Sequence, residues 1–309
     1  MTELLYLSRA EVAELLPPMP EQLDLVEQTY RSMAKGGVEL PPKPGVHPRP
    51  NAFIHAMPAY LRDEDIVALK WIAGYRTNKA RGLPYLNGLI ILSDPETGVP
   101  SVVMDAAEIT ATRTAAASGV CIRRWAPPGW RTAAILGCGV QGHRHAAVIE
   151  FLNGNAVIQA YDPHPERVAT LDGSVTARAN ARDAVDGAEV VITTGPMPEE
   201  RHPELDADWL GDRHLLVPVD FDAYVRPATI ASAELFLVDD VGQFEYYRER
   251  GNFHGWPWAH GSVGEALASG AAAGRVACVN LGVGALDAVF AKHVLDAARE
   301  RGVGTRLPL

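Results

Sequence analysis

Three charged residues of this sequence lie in apolar surroundings, where an unpaired charge is costly. Lys70 has apolar neighbours on both sides, so it is either an edge-strand lysine that reaches water or one aimed into a pocket. Arg113 lies in a run of small residues from Thr110 to Ser118; its planar guanidinium suits a carboxylate, and a structural ion pair is the alternative. Asp220 ends an apolar run, where it either meets a ligand or caps a helix. Together these residue types can bind a carboxylate and transfer a proton.

A glycine-rich segment, Gly137-Cys138-Gly139-Val140-Gln141-Gly142, follows a short apolar run. Gly137 permits a tight strand-to-helix turn, Gly139 lets the backbone approach a pyrophosphate, and Gly142 lets the helix pack close to the strand. Asp162 comes 20 residues after Gly142, at the end of the next apolar run, where an acid can accept ribose hydroxyls. The pattern predicts a dinucleotide site; a glycine-rich turn in another α/β protein is the alternative.

Composition narrows the class of protein. The 309 residues suggest about two domains, and 47 % hydrophobic content is enough for sizeable cores. A net charge of −10 argues against a nucleic-acid partner. The three cysteines are far apart and the histidines lack partners at metal-ligand spacing, so we expect no disulfide framework and no metal site. The first residues do not resemble a signal peptide and no apolar run is long enough to span a bilayer, so we expect a cytoplasmic protein without a membrane partner.

Local patterns predict the elements that position these residues. Ser8 and Glu11 form a capping box that opens a helix to about residue 16, and a second helical pattern covers 21–34. The period then changes to that of strands, with a turn at Asp94–Gly98 that joins the last two as a hairpin. The predicted strands are 52–57, 66–74, 86–93 and 99–104, and a helix follows over 105–125.

After residue 132 short apolar runs alternate with helical patterns, which indicates a parallel sheet covered by helices on both faces. A last helix is predicted over 279–299, after the sheet should be complete, and we expect it to return to the first domain. The predicted strands of the parallel sheet are 133–136, 156–161, 174–178, 189–194, 214–219 and 234–238.

Five segments stand out in combination and in this order: Met57-Pro58-Ala59, Lys70-Trp71, Arg81-Gly82-Leu83-Pro84 with Asn87-Gly88, Thr110 to Ser118, and Gly137 to Gly142 with Gln141. Together they resemble the ornithine cyclodeaminase/mu-crystallin family over nearly the whole chain. The resemblance implies an α/β protein with a Rossmann-type dinucleotide domain at 116–279 and an α+β substrate-binding and dimerisation domain at 1–115, to which 280–309 returns. It also implies a homodimer.

The resemblance also implies roles for single residues. Arg113 and Lys70 would bind the substrate carboxylate, and Asp220 would transfer protons at the amine or an attacking water. Lys43 stands where many members have an arginine for the same carboxylate, which keeps the charge but loses the planar fork. Members that act on ornithine carry an acid where this chain has His55, and an imidazole does not suit a terminal ammonium. Ornithine is therefore disfavoured as the substrate.

The expected cofactor is NAD(H) rather than NADP(H), because Asp162 repels a 2′-phosphate, although His164 and Arg167 lie nearby in the sequence. The residues expected to contact the cofactor are Arg113, Thr114, Gly137, Gly139, Val140, Gln141, Gly142, Asp162, Thr193 and Thr194.

We therefore expect an NAD(H)-dependent oxidoreductase that interconverts an α-amino acid and its α-imino acid by hydride transfer at Cα. A cyclodeaminase of a diamino acid and a ligand-binding protein of the mu-crystallin kind are the alternatives. The substrate side chain would contact His55, Tyr85 and aromatic residues of the 243–260 segment; ordinary packing or a dimer contact is the other interpretation of those aromatics. They are Phe244, Tyr246, Tyr247, Phe253, Trp256 and Trp258.

Overall fold

The computed structural model describes residues 3–198 and 200–309, which form two compact units. One unit contains the residues up to Arg113 together with Gly282–Leu309, and the other is Thr114–Leu281. Met1, Thr2 and Glu199 lie outside the described residues. None of the described helices is long and apolar enough to cross a bilayer.

The first elements match most of the predicted ones. Ser8 caps α1 in a capping box with Glu11, as predicted, and α2 begins two residues earlier than predicted because Pro20 is accommodated in its first turn. In chain order these elements are β1 (Glu3–Leu7), α1 (Arg9–Leu15), α2 (Met19–Ala34), β2 (Val38–Glu39), β3 (Gly45–Val46), β4 (Ala52–Leu61), β5 (Ile66–Tyr75), a 3-10 helix (Arg76–Arg81), β6 (Leu86–Ser93), β7 (Pro100–Asp105) and α3 (Ala107–Trp125).

The second part of the chain alternates strands with mostly short helices. Its elements are β8 (Thr132–Leu136), α4 (Val140–Leu152), β9 (Val157–Tyr161), α5 (Pro165–Val168), β10 (Val175–Ala177), α6 (Ala181–Val185), β11 (Val190–Thr193), a 3-10 helix (Ala207–Trp209), β12 (His214–Pro218), α7 (Pro227–Ala231), β13 (Leu235–Val238), α8 (Val241–Arg248), β14 (Gly261–Ser262), α9 (Val263–Ser269), β15 (Arg275–Val279), α10 (Gly284–Arg301) and β16 (Thr305–Pro308).

The sheet of the first unit has the strand order β16-β1-β7-β6-β5-β4-β2, with β3 also paired to β4. The strand β4 continues to Leu61, past its predicted end at residue 57. The proline at position 58 is tolerated because β5 pairs with β4 over its whole length, while β3 and β2 pair only with the two ends of its other side. Ala56 donates to Pro44 on that other side, so the missing N–H of Pro58 faces the gap between β3 and β2.

Helix α10 packs against β4, β5 and α2 of the same unit. Its interior-facing residues are almost all apolar and its first turn contains Asp287, which is buried. The helix thus covers one face of the strand that carries Lys70. It begins at Gly284, five residues later than predicted.

The sheet of the second unit is entirely parallel, in the order β10-β9-β8-β11-β12-β15-β13-β14. The expected Rossmann-type architecture is confirmed, and α10 follows the last strand of this sheet, as predicted. The six predicted strands are present, but β14 and β15 were not predicted. The strand β15 lies between β12 and β13 in the middle of the sheet. Its residues are almost all buried, so the run shows no alternation that separates a strand from the start of a helix.

Candidate active site

Four predicted site segments lie at the carboxyl ends of adjacent parallel strands in the second unit. The strands β9, β8, β11 and β12 are neighbours, and they are followed by Asp162, Gly137, Thr194 and Asp220. The chain leaves β8 toward β9 on one side and continues with β11 on the other, so strand order reverses beside β8. Ligands of open parallel sheets bind at this kind of position.

The glycine-rich turn has the geometry that a phosphate-binding turn requires. Gly137 has φ +100°, and a Cβ there would lie 2.8 Å from the carbonyl oxygen of Thr194. A Cβ on Gly142 would lie 2.4 Å from the carbonyl oxygen of Gly137, so the helix packs too closely on the turn for any side chain. A Cβ on Gly139 would meet nothing within 4 Å. The open space is therefore at Gly139, where a bound phosphate needs it.

Helix α4 presents uncapped N–H groups at this turn. Gly139 is its N-cap and provides no side-chain hydrogen bond, and the next residue, Val140, is 65 % exposed. Free N–H groups at a helix start bind anions. The residues present here thus fit a dinucleotide pyrophosphate.

Asp162 is held against the glycine-rich turn. Its Oδ2 accepts the N–H of Cys138 at 2.9 Å, and its Oδ1 accepts the N–H of His164 at 2.9 Å. The Nη1 of Arg167 lies 3.5 Å from the same Oδ1. The carboxylate is thereby fixed beside the glycine-rich turn, at the end of β9, where an acid can accept ribose hydroxyls. The nearby Arg167 also brings a positive charge to this edge.

Asp220 is buried and its carboxylate is hydrogen bonded by the end of the adjacent strand. The Oγ1 of Thr193 donates to Oδ1 at 2.5 Å, and the N–H of Gly195 donates to Oδ2 at 2.9 Å. Burial raises the pKa of Asp220 to about 6, although both hydrogen bonds favour the charged form. A carboxyl group with this pKa can accept or release a proton near neutral pH. It bonds a neighbouring loop rather than a helix N-terminus, so the helix-cap alternative does not describe it.

The residue after Asp220 adopts a backbone conformation that usually favours glycine. Phe221 has φ +61°, in the left-handed region that non-glycine residues rarely adopt. Its ring stacks on that of Phe253, with centroids 5.5 Å apart, and Phe253 donates its N–H to Asp222 at 2.6 Å. Aromatic packing thus holds the left-handed turn where glycine would adopt it without strain.

In the first unit Lys70 and Arg113 converge on one carboxylate, that of Asp287. The Nζ of Lys70 lies 2.6 Å from Oδ2, and the Nε of Arg113 lies 3.1 Å from Oδ1. Lys70 is only 1 % exposed on an interior strand, so the edge-strand alternative is wrong. The structural ion pair considered as the alternative for Arg113 is present, but its carboxylate, that of Asp287, also contacts Lys70.

Lys43 and Gly282 complete this cluster. The Nζ of Lys43 is buried and donates to the carbonyl oxygen of Gly282 at 3.2 Å. Gly282 has φ +82°, and a Cβ there would lie 2.9 Å from Nη1 of Arg113. The glycine therefore permits both the turn before α10 and the close approach of the guanidinium.

His55 is a neutral neighbour of these cations. It lies on β4 with its ring stacked on Phe53, at a centroid distance of 4.5 Å. Burial, followed by the charges of Lys43, His47 and Lys70, lowers the pKa of His55 to about 3. A neutral imidazole can accept or donate one hydrogen bond to a substrate but supplies no charge to hold an ammonium group.

The other predicted contact residues divide between the units. Arg113 ends the first unit and Thr114 begins the second, both within α3. Tyr85 lies in the first unit and is half-buried. The aromatic residues proposed for substrate contact are mostly core residues of the second unit, as the packing interpretation states: Phe244, Tyr247, Phe253 and Trp256 belong to its buried cluster, Tyr246 packs against that cluster, and Trp258 is exposed.

Asp287, Gly282 and Gly195 are site residues that were not predicted from the sequence. Asp287 had a usable signal, since it is a lone charge in the apolar run Ala285 to Ala291. The same signal singled out Arg113. Gly195 contributes its backbone N–H, and Gly282 contributes the space left by a missing side chain. Apart from being glycines, these residues have no feature in the sequence that indicates a site.

The fold and the strand-end geometry define the class as a two-unit α/β protein with a Rossmann-type dinucleotide fold. The profile of the ornithine cyclodeaminase/mu-crystallin family matches residues 3–225. The chain belongs to the ornithine cyclodeaminase/mu-crystallin family, which confirms the resemblance seen in its motifs. Relatives include dehydrogenases and reductases, and the chain is an enzyme of this family.

Individual relatives match along almost the whole chain. The nodulation efficiency protein NfeD of Rhizobium meliloti is 36 % identical over 314 residues, which cover 97 % of each protein. The structure of Thermococcus litoralis Δ1-pyrroline-2-carboxylate reductase in complex with NADH and L-proline has a TM-score of 0.83 at 27 % identity, over 97 % of this chain and 99 % of that chain. An archaeal alanine dehydrogenase dimer with bound NAD has a TM-score of 0.86 at 25 % identity, over 100 % of both chains.

Proposed function

We propose that this enzyme is an NAD(H)-dependent oxidoreductase that interconverts an α-amino acid and its α-imino acid by hydride transfer at Cα. The observation that carries the proposal is the buried cluster in which Lys70 and Arg113 both lie within hydrogen-bonding distance of the Asp287 carboxylate. The same two side chains have the charge that a substrate carboxylate requires. The two solved relatives named above are a reductase of an imino acid with NADH and an alanine dehydrogenase with NAD. Their activities agree with a site that recognises a carboxylate next to the reacting carbon.

Each unit would supply one part of the chemistry. NAD(H), when bound, supplies the hydride acceptor or donor. Gly137, Gly139 and the start of α4 would hold its pyrophosphate, and Asp162 would accept its ribose hydroxyls. Lys70, Arg113 and Lys43 would bind the substrate carboxylate, which fixes the orientation of Cα. Thr114, Val140, Gln141 and Thr194 would line the cofactor.

Asp220 would transfer the proton that accompanies the hydride. In the oxidative direction its ionised carboxylate takes a proton from the substrate ammonium; in the reductive direction its neutral form returns one to the imine nitrogen. The raised pKa of about 6 gives both forms accessible populations near neutral pH. Thr193 and Gly195 keep the carboxylate in place through both steps.

The proposal extends to cofactor preference and assembly. NAD(H) is preferred because the fixed charge of Asp162 repels a 2′-phosphate. A second copy of the chain would cover the face of the first unit's sheet opposite Lys70, where Trp71 is 47 % and Leu89 is 42 % exposed. Apolar side chains of this size on a sheet face favour a protein partner, and the archaeal relative is a dimer. Light scattering tests this assembly: we expect the wild type to be a dimer and Trp71→Glu to be a monomer.

Turnover assays test the activity. The purified protein with NADH is offered Δ1-pyrroline-2-carboxylate and other cyclic and open-chain imino acids, and with NAD⁺ it is offered the matching amino acids. We expect NADH consumption or formation with at least one pair. Ammonia release from a diamino acid without net NADH formation would instead identify a cyclodeaminase. NADH binding without turnover of any substrate would contradict the proposal and identify a ligand-binding protein.

A further inference from the structure

Asp287 is the carboxylate on which two site cations depend. It lies in the first turn of α10 and is 1 % exposed. Each of its oxygens contacts a different cation: Oδ2 lies 2.6 Å from Lys70 on β5, and Oδ1 lies 3.1 Å from Arg113 on α3. One side chain therefore connects three elements of the first unit. It lies beyond residues 3–225, the part that the family profile matches.

Asp287 supplies one negative charge to two buried cations, Lys70 and Arg113. Among the described residues of the first unit, the buried cationic side chains are Lys43, Lys70 and Arg113. The buried carboxylates are those of Asp287 and Glu108, and Glu108 is paired with Arg9 at 2.6 Å. Lys70 and Arg113 thus share one negative charge. Buried ions are stable when they are paired, so at a pH where Lys70 is charged, the excess positive charge of Lys70 and Arg113 over Asp287 favours binding of a further anion.

We infer that Asp287 is a positioning residue: it holds Lys70 and Arg113 side by side as a clamp for the substrate carboxylate, and it neutralises only part of their charge. The inference rests on the function proposed above. Asp287 does not touch the reacting atoms in this scheme. It acts through the two cations, whose long side chains would otherwise lose their common orientation.

The protonation of Lys70 agrees with this role. Burial lowers the pKa of Lys70 to about 7, and the negative charge of Asp287 counteracts part of that shift. Arg113 from α3 and Lys43 from the segment before β3 lower it further, while His55 on β4 is neutral. Lys70 is charged below this pKa and neutral above it. Loss of Asp287 would move the transition to lower pH, and carboxylate binding would weaken at lower pH than in the wild type.

The experiment measures binding of pyrrole-2-carboxylate to the protein–NADH complex by calorimetry, across a pH series that brackets the Lys70 transition. The variants are Asp287→Asn, Asp287→Glu and, as a matched control, Asp296→Asn, which removes the charge of a half-buried aspartate on the same helix that pairs with Lys292. Pyrrole-2-carboxamide is the uncharged control ligand. The affinity for NADH and the thermal unfolding midpoint are recorded for every variant.

We expect Asp287→Asn to weaken pyrrole-2-carboxylate binding by about tenfold or more, the effect of one charge-assisted hydrogen bond. In this variant the loss of pyrrole-2-carboxylate binding at alkaline pH should begin at a lower pH than in the wild type. In Asp287→Glu, binding should be lost over the same pH range as in the wild type, because the negative charge is retained. The affinity for pyrrole-2-carboxylate should be lower, because the charge is displaced by one methylene. Asp296→Asn should match the wild type. NADH affinity should change by much less than the affinity for pyrrole-2-carboxylate in every variant.

Three results would overturn the inference. The first is an unchanged affinity and pH limb in Asp287→Asn, which would leave Asp287 a structural role only. The second is tighter carboxylate binding in that variant, which would show that Asp287 competes with the ligand. The third applies if Asp287→Asn does not fold: it is a wild-type affinity for pyrrole-2-carboxylate in Asp287→Glu. Wild-type protein that binds the carboxylate but turns over no substrate would instead contradict the proposed function and leave this inference intact.

Discussion

Thr193 and Asp220 form a 2.5 Å hydrogen bond between the ends of two adjacent parallel strands, with the threonine hydroxyl as the donor. Both residues are buried, and the bond leaves Asp220 Oδ2 to accept the N–H of Gly195. The carboxylate is therefore fixed by the strand that precedes it in the sheet. Burial still dominates its protonation, so that the pKa of Asp220 is raised to about 6.

Removing the hydroxyl in Thr193→Val should raise the pKa of Asp220 further, because a donor that favours the ionised form is lost. Oxidation of the amino acid requires ionised Asp220, so its rate falls as the pH drops below this pKa. The acid limb of the kcat profile should therefore move to higher pH in Thr193→Val and stay near the wild-type position in Thr193→Ser. Identical limbs in all three proteins would show that another group controls the profile.

Asp220→Asn should abolish proton transfer without disturbing the cofactor site. General acid–base catalysis contributes on the order of 10²- to 10⁴-fold, and we expect a loss of kcat in that range. Fluorescence titration should give a wild-type dissociation constant for NADH, since Asp220 is not among the residues that hold the cofactor. A variant that keeps wild-type kcat would remove Asp220 from the mechanism.

Substitutions of single glycines separate cofactor binding from folding. Gly139→Ala places its Cβ in open space, so the free energy of unfolding should change by less than about 0.5 kcal/mol. The same methyl group occupies the phosphate position, and NADH affinity should fall by about tenfold or more, which corresponds to about 1.4 kcal/mol.

Two other glycines are controls for that variant. A Cβ in Gly211→Ala also meets open space, and this residue is far in sequence from the glycine-rich turn. The free energy of unfolding and the NADH affinity should therefore both stay unchanged. Gly142→Ala brings a Cβ within 2.4 Å of the Gly137 carbonyl oxygen, so it should lower the free energy of unfolding by about 1–3 kcal/mol. Wild-type NADH affinity in Gly139→Ala would place the pyrophosphate elsewhere.

Asp162→Ser should reduce the preference for NADH over NADPH. The serine hydroxyl keeps an acceptor for the N–H of Cys138 but removes the negative charge that opposes a 2′-phosphate. Arg167, 3.5 Å from the carboxylate in the wild type, then becomes available to a phosphate. The ratio of kcat/KM values for the two cofactors is the measurement. A wild type that prefers NADPH would contradict the role given to Asp162.

Much of the fold follows from local sequence signals. The capping box at Ser8, the strand at Leu86–Ser93 and the hairpin turn after it are where their residue types predict them. The strand β15 was not predicted because a strand buried on both faces has no alternation. The continuation of β4 through Pro58 depends on which neighbouring strands pair beside it, and that is a tertiary property.

The site was only partly predictable for the same reason. The strand-end positions of Asp162 and Asp220 follow from where apolar runs end, so the sequence places them at one edge of a parallel sheet. The contact of Asp287 with Lys70 joins residues more than two hundred positions apart. No local pattern specifies such a pair. The carbonyl partner of Lys43 is likewise set by the turn at Gly282 and not by residue type.

The most direct test of the central claim is mass spectrometry of the product formed from a cyclic imino acid and NADH deuterated on the transferred position of the nicotinamide ring. Hydride transfer directed by the carboxylate should give an amino acid with one deuterium, bound to Cα beside the carboxylate, and no product from the same ring without its carboxylate. Product without deuterium, or equal reduction of the ring that lacks the carboxylate, would contradict carboxylate-directed hydride transfer.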